Sequence, residues 1–520
     1  TGKTMIIALG NATTNTIDAA GSGGITISSV ISGASRSITK IGTGTLTLSG
    51  TNTYSGGTII SGGTVSAGAA ANLGDAAGAI TLGSGSTSAT LTATGSFTRN
   101  ALNVTTSSSA GVINVATSQT LTIGSLNTAS GTDNTTKIGK SGAGTLTLSG
   151  AGSYVGQTQI GEGTVIVSNN SGLGTNNSTT ARGIDLGLNV GDVSQANNVS
   201  VLATTGITVP QSIYVAPNTT SATRTIGTSG ATASATFSNE VYLDGTATLA
   251  PVSGGTLTMS GNIINTGGLI TTTGTTLLSG TNTFSGTTTV SSGTLRLGST
   301  SALGSTAAAT SITSGAVLDL NGINYSSAEA LTVNGTGISS GGAVINGSAT
   351  GATYAGLLTL GSASSIVGGS GTIAISNTGT ITGSGFGLTL GGAQGGSIAS
   401  IIGTGAGTLT KQDAGTWTLS GANTYSGATT ISAGTLRLGA AGVIADGSAI
   451  SLSGGSLSSG ASAGFSETMG TLALTANSTI ALGAGNHSLT FANSSAVSWT
   501  AATTLTITGW SGTAGASGTA

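Results

Sequence analysis

The residues able to do chemistry are few. One histidine, His487 in GAGNHSLTF, thirteen Asp and Glu, and eleven Lys and Arg stand in 520 residues without a cysteine. A lone histidine and no thiolate give no ligand set for a transition metal, and no second histidine is there for Ser/His catalysis. Carboxylates remain, because two convergent acids could cleave a glycosidic bond. Two close pairs stand out, Asp185 with Asp192 and Glu240 with Asp244, with Arg182 and Arg224 as basic neighbours. The other acids, Asp75, Asp133 and Glu162 among them, are solitary. GGAVINGSATG at 341–351 has the glycines of a calcium nonapeptide but no aspartate. GTGAG at 403–407 is not followed by GK[ST], and GKT at 2–4 has no glycine loop before it, so neither forms a phosphate loop. The residues therefore predict no catalytic, cofactor or metal site.

Composition narrows the rest. Glycine accounts for 92 residues, while charged residues make up 5% and aromatic ones 3%, against about 25% charged in an ordinary soluble domain. The mean hydropathy of +0.33 departs from the polar, charged composition that keeps chains disordered, and the scarcity of Glu, Lys, Arg and Gln disfavours helix throughout. The net charge is −2 with the cations scattered, which excludes a basic footprint for nucleic acid or for anionic lipid. No apolar run reaches the roughly 18 residues of a spanning helix, and MIIAL at 5–9 is too short for a secretory segment. The chain starts at Thr1, which points to a processed product whose targeting signals lie elsewhere.

One phrase recurs. TLTLSGTNTYSGGT at 45–58 returns as TLTLSGAGSYVGQT at 145–158, TTLLSGTNTFSGTT at 275–288 and TWTLSGANTYSGAT at 416–429. The starts are 100, 130 and 141 residues apart, so the motif is dispersed. Each copy continues into a second stretch such as TIISGGTVSAG or TTISAGTLRLG, a unit of about 25 residues. Alternation sets Leu46 and Leu48 on one face and Thr45 and Thr47 on the other, a half-buried strand; Leu436 and Leu438 point inward in the same way, with Thr435 and Arg437 outward. Glycines at 50, 56 and 57, and at 421, 427 and 434, mark turns that need permissive dihedrals. Stacked coils would cover the inner face of such strands. The predicted fold is all-β, a right-handed parallel β-helix (β-solenoid) running as one elongated rod through residues 1–520. At roughly 22 residues per coil it holds about 24 coils and is about 110 Å long. Residues 175–250, with Pro210 and Pro217, are either an irregular insertion or a set of degenerate coils. The repeat positions are Leu46, Leu48, Gly50, Tyr54, Gly150, Tyr154, Gly280, Phe284, Gly421 and Tyr425; the aromatic is read as packing, with a carbohydrate-stacking stripe as the sharper alternative.

GTLTLSGTNTYSGGT followed by TISxGTLRLG resembles the autotransporter-associated β-strand repeat of bacterial surface proteins. Four segments, about a fifth of the chain, carry the resemblance, and GGTLTMSGNI at 254–263 and GFGLTLGGAQ at 385–394 echo it. The second copy has Gly152 in place of the asparagine, and the third has Ile270 where Lys40, Lys140 and Lys411 precede the other motifs by five residues. The resemblance implies a secreted passenger folded as a parallel β-helix. The amphipathic strands of a translocator barrel do not follow within the sequence. WTAATTLTITGWSGTAGASGTA at 499–520 is similar to the segment ahead of the sorting signal in PEP-CTERM surface proteins that carry this repeat, which implies anchoring at the cell surface.

These readings converge on an extracellular, non-enzymatic structural protein, a stalk or a filament or surface-layer subunit. Neither TGKTMIIALG nor TTLTITGW looks like a polar solenoid cap, so end coils of neighbouring copies are expected to stack into a homopolymer. The alternative is a monomeric adhesin passenger that binds a glycan or matrix ligand through 175–250. A polysaccharide-degrading enzyme, with the Asp185 and Glu240 regions converging, is the remote third. Thr, Ser and Asn rows could contact glycans, and Asn103 and Asn134 fit the glycosylation pattern.

Overall fold

A chain rich in β-branched Thr, Val and Ile has strand as its natural state, and its glycines fall where strands end or backbones pass closely. The computed structural model describes residues 6–10, 14–21, 23–83, 88–105, 111–128, 136–175, 183–188, 196–218, 221–460 and 465–510. Residues 2–4, Asp133, Asn134, Arg182, Asp192 and the last ten residues of the 499–520 stretch lie outside them. The described residues form short strands, two 3-10 turns at Ala70–Leu73 and Ile338–Ser340, and no α-helix.

They fall into two compact units, 1–286 and 287–520, each a parallel β-solenoid. In the first unit one sheet runs through eleven strands, among them Ile25–Ile27, Thr45–Leu48, Gly63–Ala67, Ala89–Ala93, Gly111–Val115 and, at its far end, Val241–Leu243 and Ile263–Asn265. Strands between residues 199 and 250 pair in register with their neighbours, Val199 with Arg224 and Thr225 with Thr248. In the second unit a nine-stranded sheet includes Ile373–Ile375, Gly395–Ile398, Thr416–Leu419, Thr435–Leu438 and Ser456–Ser458.

Side chains obey the period of two. Thr45–Leu48, Thr145–Leu148, Thr275–Leu278 and Thr416–Leu419 all alternate half-exposed and buried, so Leu46, Leu48, Leu146, Leu148, Leu278, Trp417 and Leu419 fill the interior. Trp417 replaces a leucine. Its ring is accommodated because the coil below offers Gly396, where a Cβ would lie 3.0 Å from the indole, and its Nε1 donates to the Gly391 carbonyl at 2.9 Å.

The registers show what a repeat is. Ile38 pairs with Thr58 and Thr45 with Thr64, offsets of 20 and 19 residues. In the second repeat Ile138 pairs with Thr158 and Thr145 with Thr164; in the fourth Leu409 pairs with Thr429 and Thr416 with Thr435. A repeat is thus one coil of about twenty residues plus the strands stacked on it, and it holds both partners of its own contact. Elsewhere the offset lengthens, to 36 residues between Gly163 and Val199. The expected uniform coil of roughly 22 residues gives way to short coils in the repeats and longer ones between, because turns outside the stack can absorb extra residues.

The motif glycines also need a different explanation from the expected one. Gly57 and Gly434 do adopt left-handed backbone, with φ of 94° and 59°. Gly50, Gly56, Gly421 and Gly427 do not have positive φ; they are constrained by space. A Cβ on Gly50, Gly150, Gly280 or Gly421 would collide with the carbonyl oxygen of Ser29, Gly124, Gly261 or Ser400 in the coil before. Backbone cannot yield as a side chain can.

Gly150→Ala should therefore lower unfolding free energy by about 1–3 kcal/mol, the usual cost of overpacking. Thr147→Ala, on the outer face of strand Thr145–Leu148, which ends two residues before Gly150, should change it by less than about 0.5 kcal/mol. Urea unfolding of both variants checks the pair, and equal effects would contradict the stacking constraint.

Candidate functional site

The interior of the repeat is where polar groups converge. Lys40 and Lys140 lie on strands Ser37–Ile41 and Lys137–Ser141, Lys411 on Leu409–Lys411, and all three are buried. Lys40 Nζ donates to the carbonyls of Ile41 at 2.6 Å, Gly42 at 2.8 Å and Gly62 at 3.0 Å. Lys140 does the same to Ser141, Gly142 and Glu162 at 2.8, 2.6 and 3.1 Å, and Lys411 to Gln412, Asp413 and Ala433 at 2.6, 2.6 and 2.9 Å. Three acceptors match the three donors of an ammonium group. Two of them belong to the turn just after the lysine, and the third to the turn one coil further on, so each lysine clasps two coils.

The first two acceptors exist because the turn is left-handed. Gly42, Gly142 and Asp413 have φ of 75°, 72° and 60°, three residues before the motif. In the third repeat the left-handed residue is Gly274, with φ 71°, one residue before it. Counting five residues back from TTLLSG selects Ile270, but Ile270 is half-exposed and the inward position belongs to Thr271. The turn is shorter, and threonine stands where lysine would.

Asparagine supplies a second bridge. Asn52 accepts from the Ile31 amide at 2.8 Å and donates to the Asn72 carbonyl, linking the coil before to the coil after. Asn423 accepts from Ile402 at 2.7 Å and donates to the Val443 carbonyl; Asn282 accepts from Ile263 at 2.9 Å. At Gly152 a Cβ would collide with the Leu126 carbonyl, so the second repeat has no room for this side chain.

Tyr54, Tyr154, Phe284 and Tyr425 are fully buried, and a buried ring cannot stack on a sugar. Tyr54 and Tyr425 place their hydroxyls 2.7 Å from Thr58 and Thr429 Oγ1, while Tyr154 donates to the Gln157 carbonyl at 2.7 Å.

Burial sets the titration of these groups. It pushes Lys140 down to about 7 and Lys411 to about 8, against the pull of Glu162 and Asp413, and lowers Lys40 as well. It pushes the Tyr54 and Tyr425 phenols up to about 12. In the second unit it raises the Glu329 carboxyl to about 7, although the Thr310 hydroxyl donates to it at 3.0 Å.

The acids singled out in the sequence do not form a comparable centre. Glu240 and Asp244 flank Val241–Leu243 but take different partners: Glu240 accepts from Tyr242 Oη at 2.6 Å, and Asp244 from Tyr214 Oη at 2.8 Å and Asn265 Nδ2 at 3.0 Å. Asp185 is buried on Ile184–Leu186, between Gln159 and Tyr214 in register. Arg224 is buried too and donates to the Asn197 carbonyl at 2.9 Å. His487 Nδ1 accepts from the Phe465 amide at 3.4 Å, with the two rings edge to face. Among the described residues no three His, Asp or Glu gather to hold a metal. The clasping role of the lysines and asparagines was not read from sequence; a signal existed, since three of only eleven cations share one offset from the motif.

The model of the passenger-associated-transport-repeat family matches residues 38–67, 138–167, 273–297 and 409–438. These four segments are similar to that repeat, and the third match starts beyond Thr271, where the lysine clasp is missing. No curated protein and no solved structure matches the chain significantly.

The lysines make stability depend on pH. Between about 7 and 10.5 the unfolded chain keeps lysine protons that the folded chain releases, leaving each clasp the two N–H donors of a neutral amine, so stability rises with pH. From 10 to about 12 the unfolded chain loses tyrosine protons that the fold retains, so stability falls. Below these, Glu329 holds a proton in the fold between 4.5 and about 7 that the unfolded chain has lost, giving a falling limb. Urea midpoints should dip near pH 7 and peak near pH 10, and Lys140→Met should flatten the rising limb; a flat profile in the parent chain would contradict the assignment.

Proposed function

We propose that this chain, with its four passenger-associated-transport repeats, is a non-enzymatic structural shaft of a secreted or surface passenger, and that copies associate through their coils. One observation carries the reading: the recurring residues turn inward. Lys, Asn, Tyr and Gly of the motif spend their hydrogen bonds and their space on neighbouring coils, where no ligand reaches them. What recurs on the outer face is a plain threonine row, Thr45 and Thr47, Thr145 and Thr147, Thr416 and Thr418, with Leu277 in the third copy, residues that suit a strand by their branched β-carbon. The repeats and the solenoid fit a secreted passenger or stalk, and no helix of the described residues is long and apolar enough to cross a membrane.

Association between copies is supported by composition and by exposure. With 5% charged residues little repulsion opposes contact between chains. Ile507 and Trp510, on and beside strand Leu505–Thr508, are 51% and 63% exposed, and that strand is the last in its sheet among the described residues.

Negative-stain electron microscopy at rising concentration tests this. Unbranched fibres that lengthen with concentration, and that Ile507→Asp with Trp510→Ser shortens, are the expected result. Separate particles at every concentration would overturn the assembly and leave a solitary shaft.

A further inference from the structure

Arg296 and Arg437 hold the same place in two repeats, the arginine of TLRL, yet only one of them has a partner. Arg296 is in register with Asp319 of the next coil and forms a 2.8 Å ion pair with it. Arg437 is in register with Ser458 on one side and Thr418 on the other. Its guanidinium makes no hydrogen bond or ion pair with the described residues, and its Nε is shut off from solvent without an acceptor. The two terminal nitrogens, which are not shut off in this way, carry four of the five N–H donors and are the part of the guanidinium that an acceptor can reach.

The surroundings define that acceptor. Arg437 lines a surface groove of about 330 Å³ with Thr372, Gln394, Ser397, Thr416 and Thr418, at the small end of the roughly 300–1,000 Å³ of small-molecule sites. The groove crosses successive strands of the nine-stranded sheet, spaced about 4.8 Å apart, and no carboxylate lines it. The nearby acid Asp413 already accepts from the Gly392 amide at 2.7 Å. None of the five neutral side chains makes a hydrogen bond with the described residues, so hydroxyls and an amide stand beside one cation.

We infer that this groove binds the carboxylate of an acidic sugar, a uronate. A single guanidinium matches one negative charge, and its planar fork suits a carboxylate, which it can hold through two parallel hydrogen bonds. The threonine and serine hydroxyls and the Gln394 amide pair with sugar hydroxyls over about the width of one or two rings. Trp417 lies beneath the sheet, fully buried, so recognition is polar and does not use stacking. The site is independent of the inward-facing repeat residues and of any association between copies.

Isothermal titration of the full chain with trigalacturonate tests this, alongside a neutral trisaccharide and inorganic phosphate. The parent chain should bind trigalacturonate saturably, more weakly as salt rises. Arg437→Met should weaken binding by at least about tenfold with an unchanged melting temperature, whereas Arg296→Met, which removes the paired arginine, should bind as the parent does. The neutral trisaccharide and phosphate should bind at least about tenfold more weakly. No saturable binding by the parent, or equal binding by Arg437→Met, would overturn the site. Phosphate binding as tight as that of trigalacturonate would overturn the sugar assignment.

Discussion

Everything in this molecule depends on one coil's backbone meeting the next. Strand ladders satisfy most of the peptide groups, but a solenoid turns corners, and at the corners beside Lys40, Lys140 and Lys411 carbonyls point inward. An unsatisfied buried polar group costs about 1–3 kcal/mol, so each of these corners creates a need for donors. The repeats answer it with side chains. Lys40, Lys140 and Lys411 each gather three carbonyls from two coils, and Asn52 and Asn423 each bridge an amide below to a carbonyl above.

This explains the sameness of the motif: the same residues recur because the same corner recurs, with longer coils between the copies. The third repeat shows what relaxing the arrangement does. Its turn is shorter, Thr271 occupies the lysine's inward position, and the buried hydroxyls of Thr271 and Thr276 have no hydrogen-bond partner among the described residues. Glycine plays the complementary part: where Gly50 or Gly150 passes the coil before, any side chain would meet backbone.

Much of the fold was legible because leucine and threonine alternate without interruption through TLTL, and period-two alternation has one structural meaning. The twenty-residue coil was less so. Its other strand, Ser37–Ile41, places Lys40 inward, which breaks the rule that charge faces water, and the pattern therefore hides a strand that the register reveals. Asn52 reads as a loop residue in TNTY and is buried at 4% exposure. The reason for Gly50 lies in a carbonyl some twenty residues away and cannot be seen locally. The unpaired state of Arg437 depends likewise on what the next coil brings opposite, Ser458 here and Asp319 for its counterpart. Alternation is local information; the partners of a clasp are not.

The central claim is that the repeats are the points at which coils are fastened, and hydrogen–deuterium exchange with peptide-level mass spectrometry tests it most directly. Amides of 38–67, 138–167 and 409–438 should exchange most slowly, with the ladder amides of 199–250 faster and Lys140→Met speeding exchange in 138–167 before it does so elsewhere. Uniform protection along the chain, or faster exchange within the repeats than between them, would contradict the account.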